Sequence, residues 1–252
     1  MYIMDSKSHK RLTINLFFVL LAAPFVAGIT SSCDNDDYNE DYEAKMELSD
    51  ADFEGFDWNN AYGPISRVYF PADASDQRPA NAEEFSKKFL HFDEDNELVF
   101  LHKDDEEYER QWGVRNEAYN QYYKGVHVLS TVYYLHFEQG KLTSAHGVYF
   151  IIKDFNFKKK ISKDQAKKIF AEFWGISPSQ VVEKEKKSWN SSTNIEYGIA
   201  MLPKQGKLTP YLVYSITLDD VRVSEYGAGI YGYVNAQTGK MVYASELVVE
   251  DL

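Results

Sequence analysis

The sequence predicts an α+β protein made of two tandem small units, each a helix packed on a curved antiparallel sheet. Two segments with helix-start signals, at 82–90 and 163–174, are each followed by runs rich in branched and aromatic residues, which favour strands. A glycine followed by lysine marks a hairpin turn in each half, at Gly140 and at Gly239. This weak internal repeat indicates two copies of one helix-then-sheet plan.

The first helix is predicted from 82 to about 90. Asn81 precedes it as an N-cap, and Glu84 stands three residues further on, as in a capping box. Phe85, Phe89 and Phe92 are spaced so that they fall on one side of a helix and form a single apolar stripe. We therefore expect this helix to bury that stripe against a sheet.

The rest of the first unit is predicted as strands and turns. The residues at 98–101, Leu-Val-Phe-Leu, predict a short buried strand, and the acidic residues at 104–107 predict a loop. Valine, tyrosine and leucine then dominate, and Gly140 supplies the turn of a hairpin whose strands are predicted at 126–137 and 142–152.

The second unit has the clearest local signals. Ser162 is a natural N-cap, Gln165 lies at the third helical position, and Gly175 fits the left-handed position after a helix spanning 163–174. The predicted buried face of this helix comprises Ala166, Ile169, Phe170 and Phe173. Antiparallel strands are predicted at 195–202, 210–218, 230–235 and 240–247.

The first 32 residues have the features of a signal peptide. Lys7, Lys10 and Arg11 precede an apolar stretch at 12–29 that is interrupted by proline and glycine. The sequence Thr-Ser-Ser then leads to Cys33, an ending that resembles the lipobox of bacterial lipoproteins. The resemblance implies cleavage after residue 32 and acylation of Cys33, with an uncleaved single-pass anchor as the alternative. Cys33 is the only cysteine, so the chain has no disulfide framework.

Residues 33–80 are predicted to form an acidic tether followed by a poorly defined N-terminal segment, in which 65–70 favour a strand. Like charges repel and extend the tether; they belong to Asp34, Asp36, Asp37, Glu40, Asp41 and Glu43. An acidic run after a lipidated cysteine resembles the surface-export signal of Bacteroidetes lipoproteins, and a plain solvated spacer is compatible with the same residues. The expected location is the cell envelope, on the outer membrane and held by the lipid.

The charge of the chain argues against nucleic acid as a partner. The formal net charge is −12, and removal of residues 1–32, with three basic residues and one acidic residue, lowers it to −14. Phosphates are repelled by such a protein. Aromatic residues make up 15% of the chain, enough to build a substantial core in one domain or two small ones.

No catalytic motif occurs in the sequence. HExxH, GxSxG, P-loop and dinucleotide fingerprints are absent, and Cys33 is the only thiol. His127, His136 and His146 all lie in the predicted hairpin, where only a matched register would bring them together. We interpret them as ordinary strand histidines, because a metal site would also need carboxylate or thiolate ligands at matched positions. We expect no enzymatic activity, no bound metal and no cofactor.

The most specific pattern lies between 112 and 128. Its residues resemble the propeptide domain of fungalysin and thermolysin-type metalloproteases (the FTP domain), whose motif is an arginine followed by Gln-x-Tyr-x-Gly-Val-x-Val. The matching positions are Arg115, Gln121, Tyr123, Gly125, Val126 and Val128. Gly140, Lys141, Ser144 and Gly147 match the hairpin that follows in that family. His127 stands where the family commonly has proline.

The second half is similar to the PepSY-type segment that follows in those precursors. The matching stretches are 162–166 at the helix start, 210–214 in a strand and 233–240 at the terminal hairpin, with Asn235 where the family usually has aspartate. The two resemblances cover about 81–252. They predict an FTP-like domain at 81–150 and a PepSY-like domain at 151–252, with a cystatin-like fold in each.

The resemblance implies a non-catalytic lipoprotein that binds a thermolysin-type metalloprotease of the cell exterior in trans and inhibits or chaperones it. The family's zinc domain begins near the point where this chain stops, so no zinc ligand is carried over. Two alternatives are an envelope lipoprotein that binds other partners and a remnant of a precursor that lost its protease domain.

The last eight residues are the candidate inhibitory segment. They are apolar at Leu247, Val248, Val249 and Leu252, and enzymes of the thermolysin family favour bulky apolar residues in their main specificity pocket. The carboxylates of Glu250, Asp251 and the chain end are acceptable zinc ligands. The alternative is a final edge strand with a frayed acidic end.

Replacement of Cys33 by alanine tests the predicted anchor. The C33A chain is expected to accumulate as an uncleaved or soluble precursor that incorporates no labelled palmitate, because acylation requires the thiol. Palmitate labelling and fractionation of wild-type and variant cells measure this. Labelling that is unchanged by the substitution would refute acylation at Cys33.

Overall fold

The computed structural model describes residues 2–4, 46–54, 56–57, 67–71, 78–103, 106–182, 193–218 and 227–248. The chain divides into two compact units, unit 1 (Met1–Phe17 and Asp57–Phe155) and unit 2 (Phe18–Phe56 and Asn156–Leu252). Each unit combines an antiparallel sheet with a helix, so the predicted α+β class with two sheet units is confirmed. Cys33 and the acidic tether lie outside the described residues, and the lipid anchor stays a prediction.

Five helical segments occur in the described parts of the chain. They are α1 (Asp50–Phe53), α2 (Ala82–Phe85) continued by a π-helical turn (Ser86–Leu90), α3 (Glu106–Trp112), α4 (Lys163–Phe173) and a 3-10 turn (Pro178–Gln180). Among these helices, none has the length and apolar character needed to cross a bilayer.

The sheet of unit 1 is antiparallel, with the strand order β1-β2-β7-β6-β4-β3 and with β5 paired to β4. The strands are β1 (Tyr2–Met4), β2 (Arg67–Tyr69), β3 (Asn96–Lys103), β4 (Val114–Tyr123), β5 (Val126–His127), β6 (Tyr133–Glu138) and β7 (Lys141–Gly147). β1 lies inside the predicted signal peptide, so cleavage after residue 32 would remove it.

The α2 helix packs its phenylalanine stripe on one face of this sheet, as the sequence predicts. The Asn81 side chain accepts a hydrogen bond from the Glu84 amide at 2.9 Å, while the Glu84 carboxylate reaches back to the Ala80 amide rather than to Asn81. The buried core includes Phe85, Phe89 and Leu90 from the helix and its π-helical turn, Phe92 from just beyond that turn, and Tyr133, Leu135, Phe137 and Leu142 from the sheet.

Four sequence predictions in unit 1 are wrong in detail. The strand predicted at 126–137 is divided into β5 and β6, with a turn between them. The predicted short buried strand at 98–101 is part of the longer β3, in which Leu98 is half-buried against the core and residues 99–101 are exposed. The acidic loop predicted at 104–107 is too long, since α3 begins at Glu106. Three glutamates in the first turn favour a helix N-terminus there. The strand predicted at 142–152 ends at Gly147.

Close backbone approach ends β7 at Gly147. A Cβ atom at this position would lie 2.3 Å from the Val132 carbonyl oxygen, so no side chain fits there. The next amide, that of Val148, donates to the same carbonyl at 3.0 Å. The chain then leaves the ladder, and the backbone of the following segment, 148–152, needs other partners.

A buried amide supplies those partners. The Gln121 side chain, 1% exposed, donates to the Phe150 carbonyl at 2.6 Å and accepts from the Phe150 amide at 2.9 Å. It also donates to the Asn96 side-chain oxygen at 3.1 Å, and Asn96 in turn donates to the Ile152 carbonyl at 3.1 Å. One glutamine therefore ties β4, the first residue of β3 and the 148–152 segment together.

Unit 2 has a four-stranded antiparallel sheet in the order β11-β10-β9-β8. Its strands are β8 (Thr193–Lys204), β9 (Lys207–Leu218), β10 (Gly227–Asn235) and β11 (Met241–Val248). The α4 helix begins with the predicted capping box, in which Ser162 and Gln165 each bond the other's amide. Ala166 and Phe170 are fully buried, whereas Ile169 and Phe173 are half-buried.

A second segment, which lies before residue 57 in the chain, contributes to unit 2. Residues 46–54, predicted as part of the tether region, pack on this unit: Leu48 is 3% exposed, and the Glu47 amide donates to the Met241 carbonyl at 2.7 Å. Asp52 accepts from the Gln205 amide at 3.0 Å, and this hydrogen bond is the main cause that lowers the pKa of its carboxyl. Unit 2 is therefore discontinuous in sequence.

Replacement of Gln121 by methionine tests the buried amide. The variant keeps the side-chain length, but it leaves the Phe150 amide, the Phe150 carbonyl and the Asn96 side-chain oxygen without the hydrogen bonds that Gln121 makes to them. We expect the free energy of unfolding to fall by about 3–5 kcal/mol. Urea unfolding followed by circular dichroism measures it, with Gln111→Met on the exposed surface of α3 as the matched control, which should stay within about 0.5 kcal/mol of wild type. Equal stability of the two variants would contradict the role assigned to Gln121.

Candidate functional site

The residues of the FTP-like pattern build the first unit rather than a pocket. Tyr123 is fully buried, and Val126 pairs with it across the turn formed by Lys124 and Gly125. Both turn residues have positive φ, at 49° and 74°, the arrangement of a tight hairpin that favours glycine at its second position. Gln121 hydrogen-bonds the 148–152 segment in the core, so the residues of the motif are accounted for by their roles in the fold.

Arg115 has a structural place of the same kind. Its guanidinium carbon lies 4.4 Å from the centre of the Phe137 ring, a cation–π contact. Its Nη1 atom lies 3.1 Å from Glu109 Oε1, and its Nε atom lies 2.9 Å from Glu117 Oε1. These two carboxylates compensate the half-buried charge, so Arg115 joins α3 to β4.

Two of the three hairpin histidines meet. His136 Nε2 lies 2.9 Å from His146 Nδ1, and the two rings stack with a centroid separation of 4.9 Å. They meet because His136 lies opposite Ser144 across the β6–β7 ladder, which places His146 diagonally beside it. His127 takes no part in this pair, since its ring stacks on Tyr122.

The histidine pair lines an open pocket of about 250 Å³ on the sheet of unit 1. Cross-strand neighbours share one face, so strands β2, β7, β6 and β4 place their polar residues side by side. The lining residues are Arg67, Tyr69, His136, Ser144, Ala145 and His146. Asn116 adjoins them, with its amide oxygen 2.5 Å from His136 Nδ1.

Burial is the main cause that lowers the pKa of His146, to about 4, and the charges of His136 and Arg67 act in the same direction. The imidazole is therefore neutral at neutral pH. In the described part of the chain, no three side chains of the His, Cys, Asp or Glu type lie close enough to share a metal ion. We assign the pair no metal.

A second candidate lies at the edge of the same sheet. Among the described residues, β3 pairs only with β4, and its side chains Val99, Phe100 and Leu101 are 36%, 51% and 49% exposed. Leu101 sits at a bulge and has no partner in the β4 register. The composition of this run is that of a core strand, so the sequence predicts it as buried and carries no signal that the neighbouring strand is missing.

Four aromatic residues between 112 and 123 suit either a binding platform or core packing, and the structure divides them into two groups. Tyr119 and Tyr123 are buried, Tyr122 is half-buried, and Trp112 is 62% exposed on α3. Packing therefore accounts for the tyrosines, and Trp112 alone remains available to a partner.

The candidate inhibitory tail is only partly described. Leu247 pairs with Gly229 and Val248 with Gly227, so both belong to the edge strand β11. Val249 and Leu252 lie outside the described residues. The tail stays a prediction.

Asn235, the departure from the PepSY-like pattern, has a physical partner. Its side-chain oxygen accepts from the amides of Gln237 and Thr238, as an aspartate would, which shapes the β10–β11 turn. Its side-chain nitrogen donates to Glu47 Oε2 at 2.7 Å, and the Thr238 hydroxyl donates to the same oxygen at 2.8 Å. An aspartate at 235 would face the Glu47 carboxylate as a like charge, so asparagine suits this chain.

Comparison with known proteins adds little to these observations. No protein-family model matches the chain, and no curated protein matches it. Among solved structures, the chain is similar to the Bacillus megaterium YpeB C-terminal domain, with 13% sequence identity and a TM-score of 0.30 over 71% of this chain and 66% of that chain. At this level of similarity the neighbour's role says nothing about this chain, and the FTP-like and PepSY-like resemblances rest on the residues alone.

Proposed function

We propose that the chain is a non-catalytic binding module that restrains a thermolysin-type metalloprotease of the cell exterior in trans. The observation that carries the proposal is the exposed apolar run Val99–Phe100–Leu101 on the edge strand β3. The occupant of this edge is an extended segment at the active-site groove of the protease, which would pair with β3 as an added strand.

An apolar edge of this kind is costly to keep without a partner. Edge strands present unpaired amide and carbonyl groups, and proteins commonly protect them with charges or with very short strands. β3 is eight residues long and carries three consecutive exposed apolar side chains, a pattern that serves binding rather than solubility. In a chain with a net charge of −12 this run stands out against a polar surface.

The side chains also suit the partner that the resemblance implies. Enzymes of the thermolysin family favour bulky apolar residues in their main pocket, and Phe100 and Leu101 are of this class. Pairing with β4 holds the β3 backbone extended, and Asn96 anchors the start of the strand through the buried amide network. A partner would therefore meet a strand already in the bound shape, which lowers the entropy cost of binding.

Inhibition of a thermolysin-type protease from the same organism tests the proposal. We expect the exported chain to inhibit with a Kd on the order of a micromolar or below, and Leu101→Lys to weaken inhibition at least about tenfold, because a charge replaces an apolar contact. The matched control is Val182→Lys, since Val182 is 48% exposed in unit 2 and Leu101 is 49% exposed.

The folding of each variant is checked by its urea midpoint before inhibition is measured. Equal inhibition by wild type and Leu101→Lys would exclude β3 as the binding edge. A chain truncated before Leu247 distinguishes the second candidate segment, because loss of inhibition in that chain alone would assign the site to the tail. Absence of inhibition in every pairing would favour the envelope-binding alternative.

A further inference from the structure

The histidine pocket contains a positive charge without a carboxylate counterpart. Arg67 donates from Nη1 to the Tyr69 hydroxyl at 3.1 Å, and in the described part of the chain no Asp or Glu forms an ion pair with it. Acidic residues outnumber basic ones by 39 to 27, so an arginine beside two imidazoles and no carboxylate is unexpected. Arginine is favoured where a planar oxyanion is bound through two parallel hydrogen bonds.

The protons of the pocket can be placed from its hydrogen bonds. With the Asn116 amide oxygen facing His136 Nδ1, that nitrogen carries a hydrogen, and when the His136 ring is neutral its Nε2 accepts. The hydrogen between the rings then belongs to Nδ1 of His146. Nε2 of His146 is left as the nitrogen that takes up a proton on acidification.

We propose that the pocket lined by Arg67, Tyr69, Ser144, His136 and His146 binds a carboxylate. Among the described lining residues the Arg67 guanidinium is the one fixed positive charge, which matches a monoanion better than a phosphate dianion. The hydroxyls of Tyr69 and Ser144 line the same cavity and can donate to the second oxygen. The site is separate from the β3 edge and does not depend on the protease proposal.

Carboxylate binding is coupled to the protonation of His146. Among the residues that the structure describes, the charged or titratable groups facing this ring are Arg67 and Tyr69 of β2 and Tyr134 and His136 of β6, and none of these is acidic. The pKa of His146 without ligand is lowered to about 4 by burial first and by its positive neighbours second. A bound anion raises that pKa, so affinity increases as pH falls, by at most about tenfold per unit between the bound and the unbound pKa.

Nuclear magnetic resonance of the histidine ring protons tests the proposal on the chain as exported by a bacterial host. Sodium acetate is titrated at about pH 7 and about pH 5, with sodium chloride of equal ionic strength as the blank. We expect a saturable shift of the His146 signal with acetate, a tighter apparent Kd at the lower pH and a higher His146 pKa at saturation.

Two variants and three further probes complete the experiment. Arg67→Gln should weaken acetate binding at least tenfold while keeping its urea midpoint, and the exposed control Arg110→Gln should bind as wild type does. A tripeptide acid that binds where its amide does not would identify a peptide C-terminus as a source of the carboxylate, whereas acetate binding alone points to a small metabolite. The proposal is overturned by a non-saturable shift, by unchanged binding in Arg67→Gln, or by inorganic phosphate binding more tightly than acetate at about pH 7.

Discussion

The side-chain amide of Gln121 is the interaction on which the first unit depends. β7 ends at Gly147, where the backbone approaches Val132 too closely for a side chain, and the backbone groups of 148–152 lie outside the strand ladder. Gln121 satisfies Phe150 on both sides and passes a hydrogen bond to Asn96, the first residue of β3. A buried polar network in which every group is hydrogen-bonded favours a single arrangement of the segments it joins. Any shift of one segment would leave several buried donors and acceptors without hydrogen bonds. The exposed edge strand β3 is therefore held in place at its first residue, Asn96, by a hydrogen bond from the core.

In unit 2 the carboxylate of Glu47 joins segments that are distant in sequence, as the Gln121 amide does in unit 1. Glu47 accepts from Asn235 and Thr238, and so ties a segment that lies between the two parts of unit 1 in sequence to the β10–β11 turn of unit 2. The pairing explains why an amide replaces the acid that the PepSY-like pattern leads one to expect. The contact between Glu47 and Asn235 therefore accounts both for the asparagine at position 235 and for the packing of the Glu47 segment on unit 2.

The local features of the fold are predictable from the sequence and the longer-range ones are not. The Asn81 and Ser162 caps, the phenylalanine stripe of α2 and the glycine turns depend on neighbours within a few residues, and all are present. Exposure of Leu101 depends instead on which strand lies at the sheet edge, and the meeting of His136 with His146 depends on the β6–β7 register. The contribution of Leu48 to unit 2 depends on contacts between residues distant in sequence. The amide of its neighbour Glu47 donates to the carbonyl of Met241, about two hundred residues further along the chain.

Hydrogen–deuterium exchange of the exported chain, with and without a purified thermolysin-type protease, tests the central claim most directly. The account predicts that the protease slows amide exchange in β3, above all around Val99 and Leu101, because the amides at the sheet edge gain hydrogen-bond partners. Amides of the buried 148–152 segment should exchange slowly in both samples. Protection confined to residues after 245, or no protection in β3 at protease concentrations that saturate binding, would contradict it.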